Sequence, residues 1–141
     1  METLAHTIFL QTISETSLQI LNLLENGLLS LSTDIDSFLK QEDIIVKIKI
    51  LSSFLKSLDN TTRDVNYISI MLQNIHQNIS VIHTQLLQIE TKIKKHKTKY
   101  FYYIRPLYLT TEKNIITNEN NLMMKRFELL VKILQIKLHK D

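Results

Sequence analysis

The most constraining feature of the sequence is one uninterrupted apolar stripe in its middle third. Isoleucine and leucine fill eight successive a and d heptad positions, and most of the residues between them are polar. This alternating 3-4 spacing predicts an α-helix with a single apolar edge that packs in the manner of a coiled coil. The eight residues, here called the seam, are Ile68, Leu72, Ile75, Ile79, Ile82, Leu86, Ile89 and Ile93.

The pattern around the seam predicts one helix over residues 62–99. Such a helix would be about 57 Å long, whereas a compact chain of this size has a radius of gyration of about 14 Å. The seam must therefore be covered along its length, either by the chain's other helices or by other chains. Because isoleucine at d with leucine at a disfavours two-stranded coils, we expect three or four helices around the seam.

The scarcity of turn-forming residues extends the helical prediction to the whole chain. The 141 residues include one glycine, one proline and no cysteine. So few turn residues argue against a sandwich or barrel, and one glycine excludes a glycine-rich phosphate loop. The absence of cysteine excludes a disulfide framework, a thiolate nucleophile and a cysteine-based zinc site. We expect an all-α, elongated bundle of four to five helices, forming a single domain over residues 1–141.

Further apolar heptads predict the other helices. We expect them over residues 3–39, 42–58 and 112–139, with a connection over 99–111 that contains the proline.

Several boundaries stay open in the sequence. Ser32 could instead cap a helix, and the polar residues around Asn60 and Thr61 form either a stammer in one coil or a real break. The last helix begins near Thr111 or after Asn118. Gly27, within the first helix, is either tolerated there or marks a close helix crossing.

No pattern of catalytic or metal-binding residues is apparent. His76 and His83 are seven residues apart on one predicted helix, which is too far for both to bind one metal ion. The acidic pair Asp34 and Asp36 does not share one helix face, and no serine lies in a nucleophile elbow. We therefore expect no enzymatic activity, no cofactor and no metal site.

The one distinctive polar feature is the basic-aromatic segment, residues 92–108. It carries six lysines and arginines with no acid between positions 92 and 105, and five of the chain's ten aromatic residues lie between 100 and 108. Bases beside aromatic rings bind phosphates and stack on nucleobases, and they equally suit an anionic membrane surface or a partner's acidic groove. The alternative is structural, with the lysines at a helix C-terminus and the rings covering the bundle end. The candidate contact residues are Lys92, Lys94, Lys95, Lys97, Lys99, Tyr100, Tyr102, Tyr103 and Arg105.

Charge and hydropathy bound the location and the partners. Residues 1–60 carry a net charge of −4 and residues 61–141 one of +7, which suggests internal complementarity or one basic contact surface. No apolar window is long enough to span a bilayer. Because the N-terminal residues include Glu2 and no early base, we expect no signal peptide and an intracellular location, cytoplasmic or nuclear.

These features together favour a non-catalytic coiled-coil subunit. We expect its helices to assemble with those of other helical proteins in a multiprotein complex, through the seam. In general character the chain resembles the small helical subunits of eukaryotic organelle-positioning, kinetochore or Mediator complexes, in composition and heptads alone. Two alternatives are a nucleic-acid-binding module that uses residues 92–108 and a homo-oligomeric scaffold.

Overall fold

A computed structural model describes the backbone of residues 2–28, 32–58 and 66–140, and the side chains of residues 10–27, 32–58 and 66–136. Within these residues the chain forms five α-helices and no strand, so the predicted all-α bundle is confirmed. The helices are α1 (Glu2–Leu23), α2 (Thr33–Glu42), α3 (Ile44–Lys56), α4 (Asn66–Lys97) and α5 (Thr110–Lys140).

Helix α4 forms the centre of the bundle. It packs against α1 on one side and against α5 on the other, while α3 covers α1 and α2 contacts both α3 and α5. Near one end of the α4–α5 pair Lys92 bonds to Glu112, and farther along Arg126 bonds to the carbonyl of Asn74, so the two helices are antiparallel.

Two further contacts orient the remaining helices. Thr117 bonds to Glu42 and Phe127 packs on Phe54, so α5 runs parallel to the α2–α3 pair. Residues 10–14 of α1 face residues 52–56 of α3 across a cavity of about 240 Å³, whereas Glu25, just after α1, lies 3.3 Å from Lys49, so these helices are antiparallel. The topology is therefore up-down-up-down, with α2 and α3 together forming the second rod.

The seam forms the middle of the hydrophobic core. All eight of its side chains are at most 1% exposed, and the side chains that bury them belong to the same chain. Burying an isoleucine or leucine side chain contributes about 1.5–3 kcal/mol, so the seam is a major source of stability. The sequence allows the seam to be covered either by the chain's other helices or by other chains. In the structure the chain's own helices cover it.

The prediction of one helix over residues 3–39 is wrong. The α-helix ends at Leu23, a π-helical turn follows over Leu24–Leu28, and Ser32 has extended backbone angles. The Ser32 side chain accepts a hydrogen bond from the Ile35 amide at 3.5 Å and so caps α2, as the alternative placement allowed. The apolar spacing runs across this interruption because Leu24 and Ile35 both face the same core.

Gly27 does not mark a close helix crossing. A Cβ atom placed there would meet nothing within 4 Å. No neighbouring helix approaches this glycine closely. It lies in the π-helical turn.

Asp43 separates α2 from α3, so the helix expected over 42–58 is Ile44–Lys56. Its backbone is left-handed, with φ at 55°, and its amide donates to the Lys40 carbonyl at 3.1 Å. A left-handed residue at this place ends α2 and lets α3 begin at the next residue.

Where the structure describes them, the ends of the last two helices lie within about two residues of the expected 62–99 and 112–139. The described part of the long helix runs from Asn66 to Lys97, and α5 begins at Thr110, next to Thr111, the earlier of the two expected starts. Residues 98–109 connect them and include a 3-10 turn at Tyr102–Ile104. The expected break near Asn60 lies outside the described residues.

Candidate interaction site

The seam is not available to another chain in this conformation. Its residues line the interior between α4 and the neighbouring helices of the same molecule. A partner that used them would have to displace one of these helices and expose the core. The surfaces that can meet a partner are therefore found among the exposed residues.

Helix α5 carries a second apolar stripe on its outer side. Leu122, Leu129 and Ile136 are spaced seven residues apart, and each is between 42% and 58% exposed. Residues at this spacing share one helix face with a drift of about 20° per heptad. The core-facing residues of the same helix, among them Met123 and Leu130, are fully buried. We call the three exposed residues the outer stripe.

The first turns of α4 extend this apolar surface. Tyr67 and Ile70 are both about half exposed. Arg126 reaches the Asn74 carbonyl, so one turn farther along the antiparallel pair Ile70 lies near the level of Leu129. Leu122 and Leu129 each lie one turn from Arg126, and Ile70 lies one turn from Asn74. They therefore share the side of the α4–α5 pair on which Arg126 meets Asn74, here called the outer groove.

A buried polar joint holds α4 and α5 in register. Asn78 is 2% exposed and donates its Nδ2 to Glu119 Oε2 at 2.6 Å. Arg126 Nη1 donates to Asn78 Oδ1 at 2.7 Å and to the Asn74 carbonyl at 3.2 Å. Buried amides that are satisfied in this way specify one alignment, since any slip leaves them unpaired. The joint therefore fixes the outer stripe relative to α4.

At the opposite end of the same pair, the connection between α4 and α5 is anchored by an ion pair. Lys92 Nζ donates to Glu112 Oε1, and Glu112 is 4% exposed in the first turn of α5. Burial acts to raise the pKa of Glu112, but the hydrogen bond from Lys92, a backbone amide and the lysine charge together lower it. The carboxylate is therefore charged at neutral pH, although it is buried beside a lysine whose side chain is about half exposed.

His96 fixes the backbone of the connection. It is buried, and its Nε2 donates to the Tyr102 carbonyl at 2.8 Å. The same carbonyl accepts from the Arg105 amide at 3.2 Å. Phe101 is left-handed with φ at 56°, which turns the chain into the 3-10 turn. The connection is thus held by specific bonds at its centre.

Most aromatic side chains of the connection are exposed to solvent, but the Tyr102 ring packs edge-on against the buried His96, with centroids 6.3 Å apart. Residues 98–108 are all exposed. Tyr102, which is 42% exposed, has the contact with the bundle end that the structural alternative expects, whereas Tyr100 and Tyr103 are more than 70% exposed. Tyr100 packs edge-on against Phe101 with centroids 4.5 Å apart, and Phe101 packs edge-on against Tyr103 at 6.2 Å. The result is an exposed cluster of rings that contact one another.

The structure divides the basic candidates into three groups. Lys92 is bound to Glu112. Lys94, Lys95 and Lys97 lie exposed on the last turn of α4, where Lys94 Nζ is 3.7 Å from a Glu90 oxygen. The third group, Lys99 and Arg105, is exposed and lies immediately before and after the ring cluster in the chain.

Sequence reasoning missed the buried joints. Asn78 lies at a g position beside the seam, and its partners are 41 and 48 residues away. Glu112 similarly pairs 20 residues away across the connection. The one local signal of a buried contact at Asn78 was its position, as an uncharged polar residue beside the long apolar seam.

Among the described residues, no group of three or more histidines and carboxylates is placed to hold a metal ion. None of the described helices is both long enough and apolar enough to cross a membrane. No family model matches the sequence, and comparisons with curated proteins and with solved structures find no significant match.

Proposed function

We propose that the protein is a non-catalytic helical adaptor that assembles with helical partners through the outer stripe of α5. The supporting observation is that α5 carries two heptad-spaced apolar faces, one buried in the core and one exposed. The first accounts for the fold of the isolated chain. The second has no role within the described bundle, and its regular spacing matches what a facing helix needs.

The outer groove suits an amphipathic helix. Apolar residues at i and i+7 are the anchors by which one helix lies along another, with Tyr67 and Ile70 as the opposite wall. Each anchor that becomes fully buried would contribute about 1.5–3 kcal/mol before the costs of association. The polar joint below the groove keeps its two walls in a fixed register, so a partner meets a preformed surface.

The test is a comparison of two variants in affinity capture from the native source. Leu129→Asp combined with Ile136→Asp places charges on the outer stripe. Leu18→Asp is the matched control, because Leu18 on α1 is 58% exposed and Leu129 is 52% exposed. We expect the wild-type protein and the control to recover the same helical proteins and the outer-stripe variant to lose them.

Equal recovery by all three proteins would contradict the proposal. Light scattering of the purified chain separates the remaining alternative. A stable dimer that the outer-stripe variant alone abolishes would identify the partner helix as that of a second copy.

A further inference from the structure

The connection between α4 and α5 presents a concentrated apolar surface at one end of the bundle. Tyr103 and Ile104 are 72% and 71% exposed, and Tyr100 and Tyr108 are exposed to a similar degree. Leu107 adds a second exposed aliphatic side chain. Contiguous apolar exposure of this kind marks a contact site, since isolated apolar residues are normal on a surface and clusters are not.

Positive charge surrounds this apolar cluster. Lys99 precedes it and Arg105 follows it, and no acid lies between Glu90 and Glu112 in the sequence. Two acids at this end are already bound to bases, since Glu112 pairs with Lys92 and Asp34 lies 2.5 Å from Lys113. The cluster is thus edged by cations whose charge neighbouring carboxylates do not cancel.

The backbone that carries the cluster is held in place before any partner binds. The bond from His96 to the Tyr102 carbonyl and the 3-10 turn fix the central residues. A preformed loop loses little conformational entropy on binding. Binding through the exposed side chains therefore requires little further ordering of the backbone.

The arrangement of the rings distinguishes among anionic partners. Successive nucleobases stack on ring faces that lie side by side, whereas Tyr100, Phe101 and Tyr103 meet edge to face and so do not form such a stacking platform. A protein partner would need a groove shaped to this mixed cluster of rings and aliphatic chains. A lipid headgroup layer accepts an irregular apolar surface, and tyrosine places its ring and hydroxyl on the two sides of that layer.

We infer that residues 99–108 bind the surface of an anionic phospholipid bilayer. Ile104, Leu107 and the neighbouring rings enter the boundary between headgroups and acyl chains. Lys99 and Arg105 contact the lipid phosphates. This site is separate from the outer stripe, so either proposal can fail without the other.

The test is flotation of the full chain with vesicles of phosphatidylcholine alone and of phosphatidylcholine with phosphatidylserine. We expect binding to the anionic vesicles that weakens as salt increases. The Tyr103→Ser, Ile104→Ser double variant should bind at least about tenfold more weakly because it loses apolar burial. Lys99→Ala and Arg105→Ala should each lower the affinity about fivefold.

The matched controls carry the same kinds of change elsewhere on the surface. Leu18→Ser removes an exposed apolar side chain from α1, and Lys132→Ala removes an exposed base from α5. Both should bind vesicles as the wild-type protein does, and circular dichroism should show every variant folded.

Three results would overturn the inference. The first is no flotation with anionic vesicles, and the second is equal flotation of the wild-type protein and the double variant. The third is binding of a single-stranded RNA oligonucleotide, lost in the same variants, by a protein that does not bind vesicles.

Discussion

Glu112 shows how a single buried carboxylate can tie two helices together. Its pKa is lowered from the ordinary value of about 4.5 although burial opposes this, because Lys92 and the start of α5 stabilise the charged form. A carboxyl group with a lowered folded-state pKa contributes fully above its unfolded pKa. That contribution is lost as the pH falls through the folded value.

We therefore expect Glu112→Gln to lower the free energy of unfolding by about 1–2 kcal/mol at neutral pH, through loss of a charge-assisted hydrogen bond. The difference from the wild-type protein should shrink as the pH falls below about 4.5. Urea unfolding at a series of pH values measures both. Glu128→Gln, an exposed change on the same helix, is the control, and a similar effect of the two substitutions would contradict the role given to Glu112.

At the scale of elements, the joint between α2 and α3 depends on one left-handed residue. For a non-glycine residue this backbone conformation costs about 1–2 kcal/mol, and Asp43 adopts it with φ at 55°. Glycine adopts it freely, although it loses more entropy on folding. We expect Asp43→Gly to be more stable than Asp43→Ala by about 1 kcal/mol in thermal or urea unfolding.

Ser57, the residue that ends α3, provides the matched comparison. Its φ is −80°, which any residue adopts. There the order should reverse, with Ser57→Ala more stable than Ser57→Gly. The same order at both positions would show that the left-handed angle of Asp43 is not what decides its stability.

The helical elements were predictable from the sequence and several of their ends were not. Periodicity identified the apolar face of each helix, because burial imposes the 3-4 spacing. It failed over residues 3–39, because α1 and α2 both bury apolar residues in the same core and the spacing therefore continues across the break. The break is produced by local features, the Ser32 cap and the π-helical turn. The continuous heptad spacing made these features hard to recognise in the sequence.

At the scale of the whole molecule, the sequence could not show whether the seam is covered by the chain's own helices or by those of another chain. A heptad stripe has the same spacing whether it faces a helix of its own chain or of another chain. Its eight residues are buried as expected, but by α4's own neighbours. The clustering of bases and rings in the basic-aromatic segment could be found in the sequence, since six bases and five rings close together need no tertiary information. Their exposure could not, because it depends on where the bundle ends.

The seam of α4 and the outer stripe of α5 should respond differently to the truncation of a side chain. We expect Ile82→Ala in the seam to lower the free energy of unfolding by about 2–5 kcal/mol, because it leaves a cavity in a fully buried site. Leu129→Ala on the outer stripe should change it by about 1 kcal/mol or less, because that side chain is already half in water. Chemical denaturation of the purified chain makes the comparison, and equal losses would mean that the outer stripe is covered in the isolated protein.

The up-down-up-down topology has a practical consequence for anyone who labels this protein. Helix α1 begins and α5 ends at the pole opposite the α4–α5 connection, and α5 alone spans about 46 Å between the two poles. An affinity tag or fluorophore fused next to the start of α1 or the end of α5 is therefore about a bundle's length from the ring cluster. Such a fusion leaves that pole unobstructed, and a dye pair split between the poles lies within the working range of energy transfer.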